Sequence, residues 1–515
     1  MTELDRGPPP RPPISWPIAA SAAAIVVLGH VLVNAVTPYG VHRDELLYMA
    51  MGEHLRLFRM DFPPFIAVIA VAERALLGDS LVAIRFVPAI TAGGIVLLAA
   101  MIARELGGGR IAQGLAVIAA AASPVSMRPG ALFQPVVLDQ LWWTLALWAL
   151  LRLRRTQGPR WWLAIGVIGG LGLLTKFSIL ILGFALLIAV LADDRQALRT
   201  RGPWLALAIA LVIGSPSVIG QIRLGFPVVE QMRVLRRDQL AHVSYGSFLA
   251  FQLLLGPATL VALGGLIGLF RVRAWRTFRV AAYVCVVAFV TVLLANGKPY
   301  YVGAIYPTLY AAGGALLEIA GAATRMRALR AIVGASMLAF GAFAAPFGLP
   351  ILPPPAMARY AAATGLTTAV RTNRGTTLPL PQDYADMLGW REQALAVQHV
   401  VDSLPPEKRA VTVIFADNYG EAGALDFYRR EMGLPPVVSV TGSYWFFGPG
   451  ERPGTVIVTL GIAGEDLKSF CGILTPAGRI RNAWGVEEEQ DVPIFVCERT
   501  RETLQQIWPR LAGHN

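Results

Sequence analysis

The chain has 515 residues, of which 55% are hydrophobic and 15% are charged, whereas soluble proteins usually carry about 25% charged residues. This composition excludes an ordinary soluble domain, and the net charge of +12 belongs to residues 1–355. That region holds 30 Lys and Arg against 15 Asp and Glu, an excess typical of basic cytoplasmic loops. We therefore expect a membrane protein with no nucleic-acid partner.

Apolar blocks of about 20 residues, the length that crosses a bilayer core, recur along the chain after a Pro-rich segment, 1–15, which we expect to be disordered. The blocks predict eleven transmembrane helices near 16–36, 81–103, 111–127, 135–151, 161–175, 177–192, 203–221, 246–270, 280–296, 302–320 and 329–352. With a cytoplasmic N-terminus, the inner loops hold 18 Lys and Arg and the longer outer loops hold 10. The positive-inside rule favours this orientation, and the odd span count places the tail outside.

The first outer loop, 37–80, begins with an unusual run of polar and charged residues, His42, Arg43, Asp44 and Glu45. Apolar residues after this run recur at helical spacing and predict a helix in the interface plane, which Asp61-Phe62-Pro63-Pro64 ends. Acids in a first helical turn can simply stabilise the helix dipole. A third acid, Asp61, at the far end suggests instead a cavity lined with carboxylates, suited to a general base or a divalent metal ion.

Two lysines in apolar surroundings are expected on the same outer side. Lys176 interrupts a helical pair, and Lys298 lies just before Tyr300 and Tyr301. A lysine in this position can extend to the headgroup layer, or it can hold a phosphate as a point charge. The neighbouring tyrosines favour an anionic lipid headgroup.

The other basic side chains that we expect on the outer side each have two possible interpretations. Arg128, between two spans, either joins a phosphate site or is an ordinary interfacial arginine. The second long outer loop, 222–245, contains Arg237 and His242. It can close over a substrate phosphate, or it can be a solvated loop that touches anionic lipid.

The residue pattern changes in the tail, 356–515. It predicts a small extracytoplasmic α/β domain that follows the membrane domain 16–355 in the chain. Short β-branched runs, "AVTVIF", "PPVVSV", "TVIVTL" and "VPIFVC", alternate with helical stretches, as in α/β folds. Cys471 and Cys497 can form a disulfide if this region lies outside the cytosol. The tail either recognises an acceptor or covers the cavity.

These motifs, in this order, resemble the protein O-mannosyltransferase superfamily of GT-C glycosyltransferases, which includes bacterial lipid A aminoarabinose transferases. The resemblance rests on the acid pair Asp44-Glu45, the Asp61-Phe62-Pro63-Pro64 turn, the "LLTK" break and "KPYY" with "YP" after it. The tail motifs "NYGEAGALDFY", "SYWFFGPG" and "IWPRL" resemble those of actinobacterial members. The branch most similar is the bacterial one related to lipopolysaccharide-core galacturonosyltransferases.

The resemblance implies a GT-C fold and an inverting transfer of a sugar from a polyprenyl-phosphate donor to a cell-envelope acceptor, at the outer face of a bacterial plasma membrane. It implies that Asp44 is the catalytic base, and it places Asp61 near the donor phosphate or a metal ion. Glu45 would be a catalytic, metal or structural partner. The implied substrate-binding residues are Arg43, Lys176, Lys298, Tyr300, Tyr301, Arg128, Arg237 and His242.

One position departs from the relatives. They carry Lys or His directly before the Pro-Pro, where this chain has Phe62. The missing phosphate contact would have to come from Lys176, Lys298, Arg128 or the loop with Arg237. Glu45, Asp61, His42 and His242 are candidate ligands of a divalent metal ion, although no ligand spacing requires one.

Two other classes of function stay open from the residues alone. A lipid or sugar transporter could use the same charged cavity, but transporters usually show internal repeats and none is visible in this sequence. A noncatalytic protein could bind glycans through the tail, but the presence of Asp44 favours an enzyme.

Overall fold

The structure is a computed structural model, which describes residues 8–321 and 323–511. Residues 1–7 of the segment expected to be disordered lie outside the described residues. Residues 8–15 correct that expectation, because this irregular stretch is held by side chains of three helices. Gln113 accepts a hydrogen bond from the backbone N–H of Ser15 at 2.7 Å, and Arg104 and Arg155 donate to the carbonyls of Pro12 and Pro9.

The chain up to residue 348 is almost entirely helical. Its α-helices are α1 (Trp16–Val36), α2 (Arg43–Glu53), α3 (Phe65–Leu77), α4 (Leu81–Ile84), α5 (Phe86–Glu105), α6 (Arg110–Ala122), α7 (Pro124–Gly130), α8 (Pro135–Thr156), α9 (Arg160–Thr175), α10 (Ile179–Asp193), α11 (Arg201–Ile213), α12 (Ser215–Arg223), α13 (Pro227–Asp238), α14 (Tyr245–Leu253), α15 (Pro257–Arg271), α16 (Arg279–Leu294), α17 (Tyr306–Ile319) and α18 (Thr324–Gly348). Short 3-10 helices cover Arg195–Arg199, Leu240–His242, Arg273–Phe278 and Pro299–Ile305.

Within the described residues, six helical segments are long and apolar enough to cross a membrane, and up to nine are if each of three bent helix pairs forms one span. The bent pairs are α6 with α7, α11 with α12, and α14 with α15. Two shorter apolar helices, α9 and α10, complete the set. Each of the eleven predicted blocks falls on one of these elements. The chain is therefore a multi-pass membrane protein, and the count of eleven spans stays a prediction.

The tail contains α19 (Pro354–Thr364), α20 (Gln382–Ala385), α21 (Trp390–Ser403), α22 (Pro406–Val411), α23 (Tyr419–Met432), α24 (Ser443–Phe447), α25 (Gly464–Leu467) and α26 (Leu504–Ile507), with 3-10 helices at Thr367–Ala369, Glu487–Glu489 and Trp508–Leu511. Its five strands are β1 (Thr412–Ala416), β2 (Val437–Val438), β3 (Val456–Leu460), β4 (Ile473–Arg481) and β5 (Asp491–Glu498). They form one sheet in the order β2-β1-β3-β5-β4, in which β1 is parallel to both its neighbours and β5 is antiparallel to β3 and β4.

Four of these strands confirm the four β-branched runs of the sequence, and the sequence missed β4. That strand lies at the edge of the sheet, most of its residues are exposed, and a register shift separates Pro476 from Gly478. Proline and glycine are tolerated at such an edge position. The sequence of β4 therefore lacks the run of β-branched residues by which the other four strands were predicted.

Helix α2 starts at a reciprocal cap. The His42 ring accepts a hydrogen bond from the backbone N–H of Asp44 at 3.1 Å, and the Glu45 carboxylate accepts one from the backbone N–H of His42 at 2.7 Å. Such a capping box satisfies two of the free N–H groups of a first turn. The helix ends at Glu53, earlier than the sequence predicts. Most of its residues are buried, because α3 packs on one side and α23 of the tail on the other.

A buried ion pair fixes the start of α2 in the membrane part. Arg85, between α4 and α5, donates two hydrogen bonds to Glu45, each at 2.8 Å, and neither side chain is exposed. The same guanidinium also donates to Asn34 of α1 and to the carbonyl of Gly40. One arginine therefore joins the first span, the first outer loop and the second span.

We expect Glu45→Gln to lower the free energy of unfolding by about 3–5 kcal/mol, since it leaves the buried Arg85 charge unpaired. Chemical unfolding of the detergent-solubilised protein measures this change. The matched control is Glu53→Gln, at the other end of α2, whose pair with Arg74 at 2.7 Å is partly exposed and should contribute less than about 1 kcal/mol. Equal effects of the two variants would contradict the assignment.

We also expect the tail to depend on the disulfide between Cys471 and Cys497, which are 26 residues apart in sequence. Closing a loop of this length stabilises a folded region by about 3 kcal/mol. Reductant should therefore lower the Tm of the wild-type protein and leave a Cys471→Ser/Cys497→Ser variant unchanged. An unchanged wild-type Tm after complete reduction of the bond would refute the prediction.

Candidate functional site

Asp44 is held from two sides in the first turn of α2. Its Oδ1 accepts a hydrogen bond from the Tyr419 hydroxyl at 3.0 Å, and its Oδ2 accepts one from the Gln134 side-chain amide at 3.1 Å. Tyr419 opens α23 of the tail, and Gln134 precedes α8. A carboxylate oxygen has two acceptor sites, so each oxygen keeps one for a further donor. Asp44 is half-buried, as a proton acceptor with access to substrate should be.

Glu45, the neighbouring acid, has a different environment. Its four acceptor sites are all occupied, by two N–H groups of Arg85 and by the backbone N–H groups of His42 and Phe133. Burial, the largest influence, raises the pKa of Glu45, but Arg85 and His42 outweigh it and the net pKa is lowered. The structure leaves Glu45 no free lone pair for a metal ion or a substrate proton. This geometry favours the structural alternative.

Two lysines and two tyrosines form a second group near Asp44. The Lys176 ammonium lies 4.8 Å from the Tyr301 ring centre, and the Lys298 ammonium lies 5.9 Å from that of Tyr300. The two rings meet edge to face, with their centres 4.9 Å apart. Burial lowers the pKa of Lys298 to about 8, Asp44 opposes the shift and Lys176 adds to it. Lys298 is therefore within electrostatic reach of both Asp44 and Lys176.

Asp139, a buried acid of α8, acts electrostatically on Lys176. Its Oδ2 accepts a hydrogen bond from the Ser178 hydroxyl at 2.8 Å, and its charge acts directly on Lys176. A buried acid is costly in a membrane unless it is paired. Lys176, at the break between α9 and α10, lies within electrostatic reach of Asp139 and offsets part of this cost.

Arg128 and Arg43 hold the tail rather than an open cavity. Arg128 pairs with Asp383 and lies over the Tyr384 ring, 5.5 Å from its centre. Arg43 donates to Glu488 at 2.8 Å and covers the Tyr419 ring at 4.8 Å. Burial, the largest influence, lowers the pKa of Arg43, but its neighbours outweigh it and the net pKa is raised. Arg43 and Arg128, both expected to bind substrate, are thus already paired with acids of the tail.

Arg237 and His242, on the second long outer loop, are exposed. Arg237 donates to the carboxylate of its neighbour Asp238 at 2.6 Å. His242, on the 3-10 helix Leu240–His242, lies beside Gly375 of the tail. The structure therefore places this loop against the tail, and neither residue joins the group around Asp44.

Asp61 is buried at a separate junction. Its Oδ2 accepts hydrogen bonds from the Ser443 hydroxyl at 2.9 Å and from the Gln231 amide at 3.3 Å. Burial raises the pKa of Asp61 to about 6, although these donors oppose the shift. Among the described residues, no hydrogen bond or ion pair joins Asp61 to Asp44. Asp61 links the first outer loop, the second outer loop and the tail, and its place near a donor phosphate stays a prediction.

Within residues 8–321 and 323–511, one group of His, Cys, Asp or Glu side chains is close enough to share a metal ion: His42, Asp383 and Asp386. The His42 Nε2 lies 3.8 Å from Asp383 and 3.9 Å from Asp386. Its Nδ1, however, accepts the backbone N–H of Asp44, so the neutral ring carries its proton on Nε2. A metal ion needs a free lone pair on that atom, and the group does not fit one. Of the expected metal ligands, His42 belongs to this group, and Glu45, Asp61 and His242 do not.

Sequence reasoning missed the partners that orient Asp44. Tyr419 stands in the quoted motif "NYGEAG", which the sequence explains only as a strand–helix connection. Gln134 follows an unremarkable loop. Arg85 could have been singled out from the sequence, because it is an arginine inside the apolar block 81–103, where a charge needs a partner. The pairing of that arginine with Glu45 was not visible.

Comparison with known proteins supports the fold. Residues 61–219 match the family model for dolichyl-phosphate-mannose-protein mannosyltransferase, and no curated protein sequence matches the chain. ArnT from Cupriavidus metallidurans bound to undecaprenyl phosphate has a TM-score of 0.64 and 16% identity, covering 93% of this chain and 97% of that one. The apo ArnT structure has a TM-score of 0.61 and 17% identity, with 93% and 98% covered.

A third structure is less similar. The Archaeoglobus fulgidus oligosaccharyltransferase tethered to an acceptor peptide has a TM-score of 0.48 and 12% identity, with 86% of this chain and 69% of that one covered. The fold shared with ArnT extends over almost the whole chain, and the matched segment 61–219 contains the acid-x-Pro-Pro turn and the helical pair. The chain therefore shares its fold with the ArnT structures, and one segment of it matches the mannosyltransferase family model.

Proposed function

We propose that this protein transfers a sugar from a polyprenyl-phosphate donor to an acceptor hydroxyl, with inversion at the anomeric carbon and Asp44 as the general base. The observation that carries the proposal is the proximity of Asp44, oriented by Tyr419 and Gln134, to Lys298, which lies within electrostatic reach of Asp44 and of a second cation, Lys176. The ArnT structure of the same fold is bound to undecaprenyl phosphate, which supports a lipid phosphate as the leaving group.

The chemistry follows from this arrangement. The acceptor oxygen forms a bond to the anomeric carbon, while the bond from that carbon to the phosphate oxygen breaks and the phosphate keeps the electron pair. Asp44 takes the acceptor proton, and the two ammonium groups stabilise the charge that develops on the phosphate. Attack from the side opposite the phosphate inverts the configuration. No step requires a metal ion, and the residues near Asp44 do not fit one.

The remaining features support an extracytoplasmic reaction. The Cys471–Cys497 disulfide is typical of an oxidising compartment, and the tail that contains it supplies Tyr419 to Asp44. We infer that the N-terminus is cytoplasmic, that the site opens to the outer face of a bacterial plasma membrane, and that the acceptor is a cell-envelope lipid, glycan or protein. The transferred sugar is a hexose or a pentose, as in the galacturonosyltransferase-like branch.

We expect Asp44→Asn to lower kcat by about 10²–10⁴-fold, the usual contribution of a general base. The assay follows release of undecaprenyl phosphate from synthetic undecaprenyl-phosphate mannose, galacturonate and aminoarabinose with a lipid extract as acceptor. Asp79→Asn, an exposed acid paired with Arg74, is the matched control and should retain wild-type activity. Equal turnover by Asp44→Asn and wild type, with both proteins folded, would disprove the assignment of the base.

The low pKa of Lys298 predicts a pH dependence. Below about pH 8 the side chain is a cation that attracts the donor phosphate, and above it the charge is lost. We expect kcat/KM, which reports on the free enzyme, to fall as pH rises through about 8. Lys298→Arg should abolish this fall, since a guanidinium stays charged. The same decline at the same pH in both proteins would show that Lys298 is not the titrating group.

A further inference from the structure

The tail motif "NYGEAG", residues 418–423, brings the start of α23 against α2. Asn418 caps α23 by accepting hydrogen bonds from the backbone N–H groups of Gly420 at 2.8 Å and Glu421 at 3.1 Å. Glu421 returns the contact by accepting the backbone N–H of Asn418 at 3.3 Å. A reciprocal cap of this kind fixes the direction in which a helix begins, and Tyr419 is its first residue.

The two glycines of the motif permit a close approach of the helices. A Cβ at Gly423 would lie 2.8 Å from the Cβ of Leu46 and 3.1 Å from its backbone carbon. A Cβ at Gly420 would lie 2.8 Å from the Trp390 ring and 3.2 Å from the Arg43 guanidinium. Neither glycine has a positive φ, so turn geometry does not require them. They are explained by the short distance between α23 and the helix that carries Asp44.

The Tyr419 side chain is fixed at both ends. Its hydroxyl donates to Oδ1 of Asp44 at 3.0 Å, and the Arg43 guanidinium lies over its ring. Arg43 is itself held by Glu488 and by the Asn418 side chain at 3.3 Å. Burial raises the pKa of Tyr419, and Asp44 adds to the shift. The shift favours the protonated phenol, which is the form that donates to Asp44.

We propose that Tyr419 is a positioning residue for the transfer reaction, and that the "NYGEAG" motif docks the tail onto α2 in order to place its hydroxyl on Asp44. This inference rests on the proposed function and extends it, since it makes the tail a part of the active site rather than only a cover. The hydroxyl fixes the rotation of the Asp44 carboxylate, so that its remaining lone pairs face the acceptor. Gln134 supports the other oxygen from the membrane part.

Tyr419→Phe tests the proposal, because it removes only the hydroxyl and keeps the ring under Arg43. We expect kcat to fall on the order of 10-fold, the effect of losing a hydrogen bond to a charged group, with KM for undecaprenyl-phosphate sugar unchanged. We also expect the acidic limb of the pH–rate profile to move to higher pH, since a carboxylate that loses a donor is protonated more easily. A purely structural role would not move that limb.

The matched control is Tyr428→Phe. Tyr428 lies on the same helix and packs against Phe427, away from Asp44, so kcat and the pH profile should stay at wild-type values. A second measurement, the Tm of the variants, needs no donor sugar. Tyr419→Phe should lower the Tm in the wild-type background and leave it unchanged in an Asp44→Ala background, since the two side chains form one contact.

Two failures can be told apart. If Asp44→Asn is inactive while Tyr419→Phe keeps the wild-type kcat and pH profile, the positioning role is disproved and the proposed function stands. If Asp44→Asn keeps wild-type turnover, the proposed function is disproved and the inference falls with it. A change confined to KM in Tyr419→Phe would also overturn the inference, because it would assign the hydroxyl to substrate binding.

Discussion

The buried pair of Glu45 and Arg85 is the contact on which the site depends. Successive residues of an α-helix point about 100° apart, so two adjacent acids cannot face the same surroundings. Glu45 faces inward, where Arg85 and two backbone N–H groups occupy it, and this orientation leaves Asp44 facing the tail. One of the N–H groups belongs to Phe133, next to Gln134, so the same carboxylate also places the amide that binds Asp44. Glu45 thereby fixes the direction of Asp44, the proposed general base.

The tail completes the site from the other side, through contacts spread along the first outer loop. Tyr419 binds Asp44 near the start of α2, the His54 ring stacks on Phe447 at 4.2 Å just after its end, and Ser443 binds Asp61 further along. The loop is thus covered along its length by one surface. Asp44 and Asp61, which the sequence predicts to line one cavity, have different partners along this junction, and their sharing of a cavity stays a prediction.

Local features were predictable from the sequence, and long-range pairings were not. Apolar blocks predict helices because a membrane requires about 20 apolar residues, and β-branched runs predict buried strands because side chains there pack on both faces. The partner of Asp44 lies 375 residues away in the chain, and no local pattern encodes it. For the same reason the sequence does not show that Arg128 pairs with Asp383. Asp383 lies on the four-residue helix α20, which is too short to give a periodic pattern in the sequence. Such pairs form only when the tail packs against the membrane part of the chain.

The pairings bear on the position before the Pro-Pro, where the family resemblance leads us to expect a basic residue and this chain has Phe62. Arg43, Arg128 and Arg237 each pair with an acid, so a donor phosphate would have to compete with a carboxylate for any of them. Lys176 and Lys298 face tyrosine rings, and an aromatic face attracts a cation without neutralising it. The charges of Asp139 and Asp44 act on Lys176 and Lys298, but neither lysine forms a salt bridge among the described residues. A lysine binds phosphate as a point charge, whereas an arginine can bind it in a fixed bidentate geometry. A phosphate subsite made of lysines therefore supplies charge but little orientation. The direction of the donor must come from surrounding side chains, such as Tyr301 beside Lys176 and Tyr300 beside Lys298.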